Sequence, residues 1–302
     1  MAPSQQRTVP LCEENLVLGH LLGYRHEQAR ESRGTILPDK LSHLEKLQGF
    51  LMRDVLFVSI DIATGSDFEN RFSPDSLCIG VSVLDTRSLT KPIETDEEAR
   101  AATHSYQNVT KDYGLSGWVA QTFRYRETRY VNPDQAASNI MHLIEDRNYI
   151  LVGSELQRDC ELLKTLSFSS WKIAERACFR LDILRAAQYT LQLRQRPSLQ
   201  CFLETSGIKC KRLSFPGHYA HYTLRALILL AVRDWKMAGD PYTDADRRLE
   251  HNLLRVATHK LPSATSASPQ AFCEQPPADA TDTKDERNDE EESWVLMPLA
   301  SG

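Results

Sequence analysis

The chain has 302 residues, of which 41% are hydrophobic and 25% are charged, so it is long enough to bury one sizeable core. Its longest apolar stretch, residues 226–232, is far shorter than the ~18 residues of a membrane span, and its first residues lack the basic-then-apolar pattern of a secretion signal. We therefore expect a cytoplasmic or nuclear protein without a membrane partner. Residues 261–302 carry a charge of −7, so the remainder of the chain is nearly neutral at +2, and bulk charge alone does not draw it to nucleic acid.

The predicted elements begin with a helical region and continue with strands. Residues 14–52 are predicted to be helical, because apolar residues recur there at steps of three and four. The period changes to that of a strand at residues 55–62 and again at residues 77–84, where both faces are apolar, as in a central strand. Residues 105–109 and 123–131 alternate in polarity, which indicates two further strands.

Helices and strands alternate in the second half of the chain. The predicted elements are helix 135–146, strand 149–153, helix 154–166, strand 179–183, helix 184–193 and helix 220–235. The third of these is expected to start at Ser154, because Ser154-Glu-Leu-Gln has the form of a capping box. This order predicts one α/β domain at residues 14–258, with a mixed five-stranded sheet flanked by helices. A flexible segment at residues 1–13 precedes it, and a disordered acidic tail at residues 259–302 follows it.

Two aspartates are candidate site residues. Asp61 ends an otherwise apolar strand beside a turn, where ligand sites of α/β sheets gather, although an aspartate that caps the turn is an equal alternative. Asp159 shares a helix face with Leu156 and Leu163, and it lies beyond the first turn of a helix that begins at Ser154. An acid in an apolar stripe is costly unless it is paired or binds a cation, so we favour a site role for Asp159 over a structural ion pair.

Aromatic and basic residues alternate between residues 122 and 130. On a strand, Phe123 and Tyr125 point to one face, while Arg124 and Arg126 point to the other. Such a face is able to grip phosphates or bases of nucleic acid. A half-buried edge strand with a solvated basic face is the favoured interpretation.

Three motifs occur in chain order: IDIA at residues 60–63, VGSELQRD at residues 152–159 and LSFPGHYAHYTLRAL at residues 213–227. Together they resemble the motifs of the ribonuclease H-like 3′–5′ exonucleases of the DEDD type, and especially of a fungal Gfd-like branch. The resemblance covers roughly residues 15–235 and implies the ribonuclease H-like fold. In such enzymes four acids hold two divalent ions, which activate a water and stabilise the leaving oxygen.

The resemblance also implies which residues occupy the site. Two acids are retained, Asp61 and Asp159. Ala63 stands where the second acid of the strand is expected, Ser214 where the general-base histidine is expected, and Tyr219 where the last aspartate is expected. With half of the acids replaced, no cofactor is required, and Asp61 and Asp159 are expected to bind at most one Mg²⁺ or Mn²⁺ ion weakly.

This pattern implies a degenerate exonuclease-like domain without catalytic activity, which binds nucleic acid, RNA in particular, or acts as a protein-interaction module. The predicted nucleic-acid contacts are Arg124, Arg126 and Arg158. Two alternatives stay open. One is an active Mg²⁺-dependent 3′–5′ exonuclease whose ligands have moved, with Glu155 and Asp182 as the nearest substitutes. The other is an interaction scaffold that does not bind nucleic acid.

Overall fold

A computed structural model describes residues 9–26, 37–64, 77–110, 123, 125, 127–144, 146–166, 168–210, 213, 215–238 and 243–260. Within them, a mixed six-stranded sheet carries helices on both faces, which confirms the α/β class. The strands are β1 (Leu56–Thr64), β2 (Leu77–Asp85), β3 (Thr103–Val109), β4 (Glu127–Tyr130), β5 (Tyr149–Gly153) and β6 (Phe179–Asp182). Their order across the sheet is β4-β3-β2-β1-β5-β6.

The sheet combines an antiparallel meander with parallel additions. Strands β1, β2 and β3 pair antiparallel in sequence order, whereas β5 pairs with β1, β6 with β5 and β4 with β3 in parallel. The prediction of five strands is corrected to six. All six strands overlap segments that the sequence predicted as strands, including β6 at the edge of the sheet, predicted at residues 179–183, so only the number of strands in the sheet was wrong.

Strand β1 separates two hydrophobic cores, because its successive side chains point to opposite faces of the sheet. Phe57 packs in one core and Val58, Ile60 and Ile62 pack in the other. The described helices are α1 (Glu13–Leu22), α2 (Asp39–Ser42), α3 (Asp96–Ala101), α4 (Pro133–Leu143), α5 (Leu156–Leu166), α6 (Phe168–Arg176), α7 (Ile183–Leu191), α8 (Leu199–Thr205), α9 (Pro216–Ala238) and α10 (Asp244–Thr258). Helices α1, α7, α9 and α10 contribute to the core of Phe57, and helices α4, α5 and α6 to the other.

The prediction of continuous helix over residues 14–52 is wrong at residues 23–26 and 43–52, and residues 27–36 lie outside the described part of the chain. Gly23, with a φ of 90°, ends α1 in the left-handed conformation that glycine adopts without strain. After α2, a β-bridge joins Lys46 to Arg53 around Gly49, whose φ is 79°. The apolar residues of this segment therefore pack from a tight turn rather than from one face of a helix.

Helix α9 is the longest described helix and is buried along most of its 23 residues. It packs on β1, β2 and β3 and against α10. None of the helices in the described part of the chain combines the length and the hydropathy that a membrane span requires. Apart from residues 9–13 and 259–260, the predicted flexible segment and the predicted disordered tail lie outside the described residues.

Candidate functional site

Asp61 lies near the carboxyl end of β1, on the face of the sheet that α9 covers. It is half-buried and is paired in register with Gly80 of β2. A Cβ atom added to Gly80 would overlap the carbonyl group of Pro216, so glycine is what allows the first turn of α9 to lie directly on the sheet here. Ala63 follows two residues later on the same face of β1 and is also half-buried.

Tyr219 projects from the first turn of α9 into the neighbourhood of three acids. Its hydroxyl accepts a hydrogen bond of 2.7 Å from Oγ of Ser154, which is 1% exposed. Burial raises the pKa of Tyr219 to about 12, the hydrogen bond from Ser154 acts against this rise, and the charges of Asp61, Glu155 and Asp159 add to it. Tyr219 is therefore a neutral phenol at physiological pH, held beside the two candidate aspartates.

Asp159 is the most buried acid of the site, with 2% of its surface exposed. Burial raises the pKa of its carboxyl group to about 7, while Arg158 and a hydrogen bond from the backbone N–H of Ile62 lower it and Glu155 raises it further. Its Oδ1 atom has no hydrogen-bond partner among the described residues. The side chain is thus a weakly acidic, partly unsatisfied carboxyl group, as expected for an acid inside an apolar stripe.

The start of α5 differs from the prediction. The helix begins at Leu156, so Asp159 lies in its first turn rather than beyond it. The predicted capping box is wrong, because the hydroxyl of Ser154 donates to Tyr219 instead of capping the helix. The Ser154 side chain, which the local sequence pattern assigned to the helix cap, therefore bonds to Tyr219 of α9 instead.

The two acids nearest to the candidate site by sequence are occupied by other partners. Glu155 is 59% exposed and forms an ion pair of 3.6 Å with Arg158. Asp182 caps α7 by accepting hydrogen bonds from the N–H groups of Leu184 and Arg185. It also forms an ion pair of 2.6 Å with Arg196. In this conformation both acids are engaged by other residues, Asp182 by a helix cap and an ion pair and Glu155 by an exposed ion pair.

The comparison with known families agrees with this geometry. The family model described as "DNA polymerase III subunit epsilon-like, C-terminal domain" matches residues 56–230, from β1 into α9, which is more than half of the chain. The chain belongs to this family. It is a DEDDh exonuclease family of the ribonuclease H-like superfamily, so the resemblance seen in the sequence is confirmed at that level. No curated protein matches the chain. The fungal Gfd-like branch stays a prediction.

The two divalent ions that a DEDD-type exonuclease uses do not fit the residues of this epsilon-like domain. Across the part of the chain that the structure describes, no three side chains from His, Cys, Asp and Glu converge as they would around a metal ion. Ala63 has no ligand atom, and a neutral phenol such as Tyr219 is a poor ligand for a hard divalent cation. We therefore derive no catalytic step through metal ions.

Of the other predicted site residues, only some lie in the part of the chain that the structure describes. Ser214, Arg124 and Arg126 lie outside the described residues. Arg158 is described, with 45% of its side chain exposed beside Glu155. No sequence pattern marked Arg196, which donates to the backbone carbonyl of Ser154, the residue that hydrogen-bonds to Tyr219.

The aromatic residues of the 122–130 segment pack against α9. The ring of Tyr125 stacks on that of His221 with 3.6 Å between centroids, and Phe123 contacts His218 edge-on at 5.6 Å. The Nδ1 atom of His221 is 2.9 Å from the Oγ atom of Ser105 on β3. This part of the family fold is therefore held by a buried aromatic cluster.

Proposed function

We propose that this epsilon-like domain has lost nuclease activity and binds single-stranded RNA beside Asp61 and Asp159. The observation that carries the proposal is the hydrogen bond of 2.7 Å between Ser154 and Tyr219, which places a neutral hydroxyl next to the two remaining acids. A two-ion mechanism needs carboxylates at such positions to balance the +4 charge of the ions. With one alanine and one tyrosine in their place, that balance is absent.

The charge of the site favours a ligand that binds without metal ions. A cluster of four carboxylates repels phosphate groups unless cations neutralise it. Here burial raises the pKa of Asp159 to about 7, so its carboxyl group carries less negative charge at neutral pH than an ordinary aspartate does. Arg158 and Arg196 each have 45% of their side chain exposed. Arg158 is paired with Glu155, and Arg196 with Asp182 and the carbonyl of Ser154, so their remaining N–H groups are the ones that can donate to phosphate oxygens.

The exposed surface favours nucleic acid over a protein partner. Protein interfaces of lasting complexes are built around exposed apolar patches. Among the described residues, the exposed large hydrophobic side chains are Leu51, at 52%, and Tyr130, at 49%, which lie on different elements. A partner that binds through charge and hydrogen bonds matches this surface better.

One observation keeps the active enzyme as a second candidate. Oδ1 of Asp159 is buried and has no hydrogen-bond partner among the described residues, and a bound cation would satisfy it. In that case the missing ligands must come from elsewhere in the chain, after Glu155 or Asp182 has left its present partner.

A single assay separates these functions. A fluorescent single-stranded RNA of about 20 nucleotides is incubated with the purified full chain in EDTA, in Mg²⁺ and in Mn²⁺. Binding of the RNA and its shortening are both measured, and a DNA of the same sequence is tested under the same conditions. We expect binding in EDTA and no shortening in either metal, and we expect Arg158→Gln to weaken binding while Arg248→Gln, an exposed arginine on α10, does not. Shortening that Asp61→Asn abolishes would establish the active enzyme, and no binding of either nucleic acid would establish the scaffold.

A further inference from the structure

Four cationic side chains lie around α6, away from the candidate site, and two of them contact the Trp171 ring. They are Lys40, Lys164, Arg176 and Arg180, and all four are exposed. Nζ of Lys164 lies 4.4 Å from the centroid of the half-buried Trp171 ring, and Cζ of Arg180 lies 5.4 Å from it. We refer to these four cations and Trp171 as the basic cluster.

The end of α6 accounts for two of the four cations. Lys40 donates to the carbonyl oxygens of Glu175, at 3.2 Å, and Ala177, at 3.4 Å. Nε of Arg180 donates to the carbonyl oxygen of Ala174 at 3.1 Å. These bonds satisfy carbonyl groups that the end of a helix leaves unpaired, and they offset its partial negative charge.

Lys164 and Arg176 have no comparable structural task. Neither donates a hydrogen bond to a described residue, and across the whole basic cluster no cation forms an ion pair with a carboxylate of the described part of the chain. The exposed acids on the same two helices are Glu161 and Glu175, so positive charge is in excess here. Residues 1–260 carry a net charge of only +2, so this local excess of positive charge is not a consequence of the overall composition.

The basic cluster lies near the start of β5, and the candidate site lies near the end of the same strand. Cys178, which follows α6, donates its N–H to the carbonyl oxygen of Tyr149 at the start of β5, whereas Ser154 and Asp159 follow the end of that strand. Burial raises the pKa of Tyr149, and the charges of Arg176 and Arg180 act against the rise, which places both arginines near the start of β5. Five residues of strand separate the two locations by roughly 13–16 Å, at about 3.3 Å per residue.

We propose that the basic cluster is a second contact for single-stranded nucleic acid, separate from the site beside Asp61 and Asp159. Cations without a carboxylate partner around a half-buried indole are suited to a single strand, because the cations bind phosphates and the indole stacks with a base that displaces the Lys164 side chain. Helix α5 carries Asp159 near its start and Lys164 near its end, so a strand that lies along α5 reaches both places. The inference shares its ligand with the proposed function but concerns different residues.

The test uses variants that leave the α6 end intact. Lys164→Gln and Arg176→Gln are combined in the full chain, and the matched control combines Arg233→Gln and Arg248→Gln, which remove the same charge from exposed positions on α9 and α10. Affinity for an RNA of about 20 nucleotides and for one of about two is measured by fluorescence anisotropy at several KCl concentrations. We expect the cluster variant to bind the long RNA at least ~10-fold more weakly than the control, with a salt slope lower by about 1.4, since each phosphate contact with a single strand contributes ~0.7.

Affinity for the short RNA at the site beside Asp61 and Asp159 should be the same in both double variants, because two nucleotides do not reach from one location to the other. The result that overturns the inference is a cluster variant whose affinity for the long RNA equals that of the control. If Arg158→Gln weakens binding in that experiment, the proposed function stands and the basic cluster alone is refuted. A wild-type chain that binds polyglutamate but neither RNA would assign the cluster to an acidic protein segment and also refute the inference.

Discussion

Tyr219 and Ser154 show how one residue pair changes the chemistry of the site. The first turn of α9 brings the side chain at position 219 beside Asp61 and Asp159 whatever residue stands there, because Gly80 lets the backbone of α9 lie on the sheet. A carboxylate at this position would add a third negative charge, and a cation would be needed to offset the repulsion. The tyrosine instead brings a neutral hydroxyl, whose hydrogen bond with Ser154 holds the site together without an ion.

We predict that Ser154 and Tyr219 are energetically coupled. Ser154→Ala and Tyr219→Phe should each lower the free energy of unfolding by about 1 kcal/mol, since each removes one side of a hydrogen bond at a buried location. The double variant should lose less than the sum, with a coupling energy of about 0.5–1.5 kcal/mol, measured by urea unfolding of the four proteins. Strictly additive losses would mean that the two hydroxyl groups do not interact in solution.

At the scale of elements, the contact between α9 and the sheet depends on small residues. Ser59, Ser82 and Ser105 are neighbours across β1, β2 and β3 and point to the face that α9 covers. Oγ of Ser82 is 2.6 Å from Oγ of Ser105, which in turn contacts His221 of α9. Small side chains let the helix approach closely, and these hydrogen bonds satisfy the hydroxyl groups of Ser82 and Ser105 and Nδ1 of His221.

Gly80→Ala tests this packing. The added methyl group would overlap backbone atoms of Pro216 and Gly217, which cannot move aside as a flexible side chain does, so the start of α9 must shift. We expect a loss of at least ~3 kcal/mol in the free energy of unfolding, at the upper end of the cost of overpacking. The control is Gly207→Ala, where the φ of 81° strains the alanine but nothing lies within 4 Å of the added atom, so the loss should stay near 1–2 kcal/mol. Equal losses would show that Gly80 does not set the position of α9.

At the scale of the whole molecule, the sequence predicted the features that have a local cause. The strands that became β1, β2, β3 and β5 were recognised because their apolar runs reflect burial on one or both faces. Asp159 was recognised because an acid inside an apolar stripe is costly, and the structure places it 2% exposed. The family was recognised from three motifs that occur in the family's order along the chain.

Two features that were not predicted, the contacts of Ser154 and of Arg196, depend on partners that are distant in the sequence. The hydroxyl of Ser154 could cap the following helix or bond to Tyr219, and the choice depends on where the fold places Tyr219. Arg196 stands on a loop without periodicity, so nothing local marks its contact with Ser154. Helix α10 was different: Thr243 and Asp246 form a capping box at its start, which is a readable signal.

The final prediction concerns whether the fold still supports a metal centre once ligands are returned. In the double variant Ala63→Glu, Tyr219→Asp, the glutamate points to the same side of β1 as Asp61, and the aspartate replaces the phenol beside Asp61 and Asp159. Position 63 is half-buried, so the new carboxylate keeps access to water, whereas loss of the Tyr219 ring costs stability, with ~3–5 kcal/mol as the upper limit for a fully buried aromatic residue. Four oxygen-bearing acids at one location suit Mn²⁺ and Mg²⁺.

We expect the double variant to bind Mn²⁺ at least ~10-fold more tightly than the parent chain by calorimetry, which corresponds to about 1.4 kcal/mol. Circular dichroism and urea unfolding first establish that the variant is folded. The matched control carries Asp61→Asn in addition, and it should return to the affinity of the parent, because the new ligands act only together with the acid that β1 retains. A folded double variant with the affinity of the parent would show that positions 63 and 219 do not face a common ion, and the assignment of the degenerate site would then be wrong.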